Sequence, residues 1–83
     1  MKIRFTDDFF FLLNEQVQYI SLDKPFAAKN FKKDLIQNLK RDLVFPFYFK
    51  KSIYFDNEHV RDYIFKGYTC VYLINENQQK ILN

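Results

Sequence analysis

The spacing of apolar residues changes from a helical to a strand period midway along this chain, and Pro46 stands at the change. Ahead of it, Phe9, Leu13, Val17 and Ile20 recur at steps of four, four and three. Ala28, Phe31, Leu35 and Leu39 repeat at three and four, with Leu43 in step beyond them. Each set marks one face of an α-helix. From Lys51 onward the period is two, so that Val60, Asp62 and Ile64 stand opposed to Arg61, Tyr63 and Phe65. That alternation belongs to a strand. Pro46 has no backbone N–H and drives its predecessor out of helical geometry, so no helix runs through it. Helices followed by strands predict an α+β fold.

The junctions fix the element order. KIRFT at residues 2–6 alternates, with Ile3 and Phe5 on one side, and predicts a short N-terminal strand. Thr6, Asp7 and Asp8 supply side-chain oxygens for the free N–H groups of a helix start. The first helix then spans Phe9 to Ile20, breaks at Ser21, Leu22 and Asp23, and is followed by a second from Lys24 to Arg41 with Pro25 in its first turn. Ala27 and Ala28 are expected where the antiparallel helix hairpin closes. Past the aromatic loop VFPFYF, strands are expected at Ser52–Phe55, Val60–Phe65 and Tyr68–Ile74, with a brief last run at Lys80–Leu82. These predict an antiparallel meander packed on the helices. Gly67 is the only glycine in the chain. It sits with Lys66 between two strand runs, where a two-residue hairpin needs positive φ at one or both central positions.

Eighty-three residues make one domain, 1–83, and a domain this small needs a core dense in large side chains. Eleven Phe and six Tyr meet that need. No run of 18 apolar residues is present, which excludes a membrane-spanning helix. The apolar run at the N-terminus is too short and too acidic at its flanks for a signal peptide, and Cys70 has no second cysteine to pair with. A cytoplasmic protein is expected. One histidine, one cysteine and one glycine leave no set of ligands for a metal cluster and no phosphate-binding glycine loop. Neither a metal nor a cofactor is expected.

The net charge is +3, but Lys29, Lys32, Lys33, Lys40, Arg41, Lys50 and Lys51 face only Asp34 and Asp42 between positions 29 and 51. This basic block lies mostly off the apolar stripe of the second helix. It fits either a solvated lysine-rich face or a surface for an acidic partner. Cys70, inside an apolar strand, reads as a small buried hydrophobe. Asp62 is expected at a strand edge. His59 reads as an exposed turn histidine or, in a nucleic-acid site, a general base. Arg61 and Lys51 are expected on a sheet surface suited to RNA phosphates and stacked bases.

Two stretches carry a family resemblance. DKPFAAKNFKKDLIQNL, with FP following it, resembles the helix hairpin of the RelE/ParE superfamily of toxins from bacterial type II toxin–antitoxin modules, where a DxPxAAxxF pattern precedes an amphipathic run and a proline. VRDYIFKGYTCVYLI is similar to that superfamily's sheet, with an Arg-bearing strand, a glycine hairpin and YxxxY. The resemblance covers roughly residues 19 to 75. It implies a compact toxin with a sheet packed on a helix hairpin, neutralised by an acidic antitoxin that wraps a segment around it. The cleft between hairpin and sheet, with Phe9, Phe31 and Tyr68, is the expected seat of that segment. Lys29, Lys32, Lys33, Lys40 and Arg41 form the expected target-binding face.

The superfamily divides by target. Its RelE-like branch cuts mRNA on the ribosome, and in that reading Arg61, His59 and Lys51 would be the catalytic residues. Its ParE-like branch poisons a DNA topoisomerase, usually gyrase, without catalysis. The nuclease branch commonly carries GYR at the hairpin, whereas Thr69 stands in this sequence, and the last run, Lys80 to Leu82, stops before that branch's terminal Tyr or His. The AA-containing hairpin is more typical of ParE-like members. The resemblance therefore implies a ParE-like growth inhibitor of the plasmid-stabilization kind. An mRNA endoribonuclease is the alternative, and an inactive toxin that only binds its antitoxin is the second.

Overall fold

A computed structural model describes residues 2–78 and 80–82. Strand β1 (Lys2–Arg4) leads into helices α1 (Asp7–Ser21) and α2 (Pro25–Asp42), a single 3₁₀ turn (Pro46–Tyr48), and strands β2 (Val60–Phe65), β3 (Tyr68–Asn75) and β4 (Lys80–Leu82). Thr6 caps α1, its Oγ1 accepting the Phe9 N–H at 3.1 Å, while Asp7 and Asp8 place negative charge in the first turn, where the helix dipole favours it. Pro25 opens α2 at a position whose N–H would lack a helical partner in any case.

The sheet order is β1-β4-β3-β2, with β1 parallel to β4 and the other pairs antiparallel. In the β2–β3 ladder Arg61, Tyr63 and Phe65 lie opposite Tyr72, Cys70 and Tyr68, and this face packs on the helices. The helical stripe of Ala28, Phe31, Leu35, Leu39 and Leu43 is buried throughout, and Leu13, Tyr72, Ile74 and Ile81 complete the centre of the core. Ala28 is buried at the hairpin, but Ala27 is exposed, because one small residue per turn suffices for the close approach. Lys66 and Gly67 both have positive φ, 49° and 79°, which closes the β2–β3 hairpin as a type I′ turn.

The expected strand Ser52–Phe55 does not form. The chain makes one bridge, Lys51 to Arg61, flanked by the Ser52 N–H donating to Val60 O at 2.9 Å and the Asp62 N–H donating to Lys50 O at 3.0 Å. Ser52 Oγ then accepts the Tyr54 N–H at 3.3 Å and turns the backbone away from the ladder. Short serine hydroxyls compete with strand pairing in this way. The meander among the described residues therefore has three strands. The Lys50–Ser52 stretch also shelters Asp62, which is 3% exposed, and its Oδ1 has no hydrogen-bond partner. Asp62 is buried on an edge strand rather than solvated there.

Candidate partner-binding surfaces

Where α1 turns into α2, the helix hairpin stands away from the β2–β3 turn and leaves a cleft of about 850 Å³, lined among others by Tyr19, Ile20, Leu22, Phe31, Tyr68 and Thr69. A second hollow of about 210 Å³ runs from Tyr68 and Thr69 to Phe9 and Leu12 on α1. The two share Tyr68 and Thr69, with Phe31 lining the first and Phe9 the second. Phe31 meets Tyr68 edge-on at 5.7 Å. Burial pushes the Tyr68 phenol above its ordinary pKa, with a smaller contribution from Cys70. Phe9 and Phe31 are each only 7% exposed, so they form the floor.

The exposed apolar rim is made by residues that the helical stripe did not single out. Tyr19 and Leu22 project at the end of α1 and Leu12 lies exposed along it, while Phe11 and Phe26 are exposed elsewhere on the helices. For Phe11 and Leu12 the signal in the sequence is the surplus of apolar residues in FFFLL, more than one helix face requires. Burying the Cys70 thiol pushes its pKa up to about 12 and leaves it neutral, as a small hydrophobe should be.

The basic block splits in two. Lys29, Lys33 and Lys40 are exposed and share one stripe of α2, being four and seven residues apart. Lys32 is instead drawn to α1, donating to Asn14 Oδ1 at 3.1 Å with its ammonium 5.6 Å from the Phe10 ring centre. Arg41 grips the Asp42 carboxylate at 2.7 and 3.1 Å. Asp42 also accepts the Tyr63 hydroxyl at 2.6 Å. The bonds from Arg41 and then Tyr63 hold the Asp42 carboxyl below the usual carboxylate range. Burial, and then that bond to Asp42, push Tyr63 up to about 12.

Arg61, His59 and Lys51 do come together around the start of β2, yet not on the outer sheet face. The Arg61 guanidinium donates to the carbonyls of Glu58, Phe49 and Phe47 at 2.7, 2.9 and 3.3 Å and lies 5.2 Å from the Phe47 ring centre. Such a set of bonds makes it a brace for the segment after α2. His59 Nε2 is 2.7 Å from Glu76 Oε1, and its ring meets Phe47 edge-on. Lys51 Nζ reaches Asp56 at 3.2 Å across solvent. Among the described residues no three His, Cys, Asp or Glu side chains gather as metal ligands, and no helix is long and apolar enough to cross a membrane.

The family model described as the ParE toxin of the parDE type II toxin–antitoxin system matches residues 3–82. The chain belongs to the ParE toxin family. It is thus a toxin of a type II toxin–antitoxin system, a branch of the RelE/ParE superfamily, and an antitoxin is its partner. No curated protein and no solved structure matches the chain. In this toxin Thr69, the position where the resemblance puts arginine in nucleases, is exposed on β3 and lines the cleft.

Proposed function

We propose that the toxin inhibits growth in the cytoplasm by binding a DNA topoisomerase, gyrase first, without catalysis of its own. The observation that carries this reading is the match to the ParE model over residues 3–82. Two features of the site agree with it. Thr69 offers no cation at the hairpin, and the Arg61 donors are engaged by three backbone carbonyls, so holding a phosphate there would cost those bonds.

An acidic antitoxin segment fits the cleft and hollow lined by Phe31, Phe9 and Tyr68, with the rim of Tyr19, Leu22 and Leu12 supplying apolar contact. Lys29, Lys33 and Lys40 remain as the face turned to the target, steering the encounter by charge. The ribonuclease reading has one observation in its favour, the His59–Glu76 pair, since a carboxylate that orients an imidazole prepares it for proton transfer.

Two assays on one preparation separate the readings: supercoiling by gyrase, and cleavage of mRNA in translating ribosomes. Inhibited supercoiling with intact mRNA is expected. Cleaved mRNA that survives in wild type and disappears in His59→Ala, with supercoiling untouched, would replace the proposal with the ribonuclease.

A further inference from the structure

The hairpin between β2 and β3 closes on a residue that its backbone does not favour. Lys66 has a φ of 49°, and among the described residues it is the only one besides Gly67 with a positive φ. The first position of a type I′ turn suits Asn, Asp or Gly, whereas a lysine there brings its Cβ close to the following carbonyl oxygen. A residue kept against backbone preference points to work for its side chain. The Lys66 ammonium lies 5.3 Å from the centre of the Phe65 ring, and that ring lies 5.7 Å from Phe31, on the floor of the large cleft.

Lys66 also lines that cleft itself, on the sheet side. On the helix side the lining includes Asp23 and Lys24, where α1 passes into α2. Both lysines are exposed, and among the described residues neither has a carboxylate within ion-pair distance. Their backbones are fixed, Lys66 by the turn and Lys24 by its N–H, which donates to Ile20 O at 2.8 Å. Two ammonium groups and the single carboxylate of Asp23 leave one net positive charge on a cleft whose other lining residues are uncharged. One further carboxylate balances it. A nucleic-acid strand, whose phosphates need a row of cations, is not matched by so little charge, and the apolar floor of Ile20, Phe31 and Tyr68 suits an apolar side chain next to the acid.

We infer that Lys24 and Lys66 clamp one carboxylate of the antitoxin from the two sides of the cleft, beside an apolar antitoxin side chain seated on Phe31 and Tyr68. This rests on the proposed seat of the antitoxin segment in the cleft. The acid sets the register of the segment, and the apolar side chain supplies most of the affinity. Lys66 carries the larger share of the clamp, because Asp23 lies on the same side as Lys24 and offsets part of its charge.

The test is surface plasmon resonance with the full-length toxin and its cognate antitoxin. Lys66→Asn removes the charge and supplies a better turn residue, so the melting temperature should rise while the antitoxin dissociates about 10-fold faster or more. A gain in fold stability with a loss of binding separates the clamp from unfolding. Lys66→Arg keeps the charge and should dissociate like wild type, and Lys24→Gln should give a smaller loss than Lys66→Asn. When each antitoxin Asp or Glu is changed to its amide, one such change should have no further effect on the Lys66→Asn toxin. Unchanged dissociation in Lys66→Asn, or no antitoxin acid coupled to Lys66, would overturn the clamp. The double variant Tyr19→Ser, Leu22→Ser, at two exposed sites lining the cleft, tells that result from failure of the seat itself. Faster dissociation in the double variant alone keeps the antitoxin in the cleft without the clamp, whereas no change in either variant removes both. Loss of gyrase inhibition in Lys66→Asn with antitoxin binding intact would assign the cleft to the target and likewise overturn the clamp.

Discussion

The hairpin of β2 and β3 and the stretch just before it, residues 43–59, are both rich in aromatic side chains, yet they end up on opposite sides of the solvent boundary. In β3, Cys70, Tyr72 and Ile74 are buried while Thr69 before them and Leu73 between the last two are exposed. In the preceding stretch the aromatics come in runs without a period, and only Leu43, Pro46 and Ser52 are buried. Hydrophobicity is similar in the two regions; what separates them is periodicity. A backbone that presents every second residue to one face can bury a whole set at once, whereas a run of rings on an irregular path must leave most of them in water.

The comparison predicts where the molecule is fragile. The largest effect is expected in alkali. Burial holds Cys70 and Tyr63 neutral up to about 12, whereas the unfolded groups release their protons near 8.5 and 10. Because the unfolded chain then binds fewer protons than the fold, stability is full below about pH 8.5 and falls as the pH rises toward 12, by several kcal/mol in all. Urea unfolding across that range measures it, and Cys70→Ala should make the decline shallower.

Next comes the core. Leu39→Ala, at a fully buried site, should cost about 2 to 5 kcal/mol in the urea midpoint at neutral pH. Tyr72→Phe leaves the Pro46 carbonyl without its donor and should cost roughly 1 to 3 kcal/mol, with the larger part of the loss seen as faster proteolysis within residues 44–55. Gly67→Ala meets open space but keeps a positive φ, so about 1 kcal/mol is expected from backbone strain alone. Tyr54→Ser should change the same midpoint by no more than about 0.5 kcal/mol. A Tyr54→Ser cost as large as that of Leu39→Ala would show that the aromatic segment is part of the core after all, and the comparison would be lost.

The same distinction explains what was legible in the sequence. The helix stripes, the β2–β3 register and the Lys66–Gly67 turn follow from local period and backbone sterics, and each could be read from neighbouring residues. Ile53, Tyr54 and Phe55 favour a strand at Ser52–Phe55, but a serine hydroxyl four residues after the 3₁₀ turn diverts the backbone, and no propensity records that choice. Arg61 was misplaced because its role depends on three carbonyls 3 to 14 residues away, and Lys32 because its partner is Asn14 on the other helix. Phe31 and Tyr68 line the cleft and Phe9 and Tyr68 the smaller hollow. The rim at Tyr19 and Leu22 is not legible in the sequence, since a residue's place at the lip of a cleft is decided by how two elements splay.

The parallel pairing of β1 with β4 also bears on when the toxin becomes complete. Ile3 lies beside Ile81, so the first strand waits for residues 78 positions further along the chain. At roughly 5 to 20 residues per second of synthesis, that wait is about 4 to 16 s. During it the helices can form from local contacts, while the sheet lacks its final order. A nascent toxin therefore passes through a half-finished stage on the ribosome, an interval in which an antitoxin already present in the cell would meet it before it is fully built.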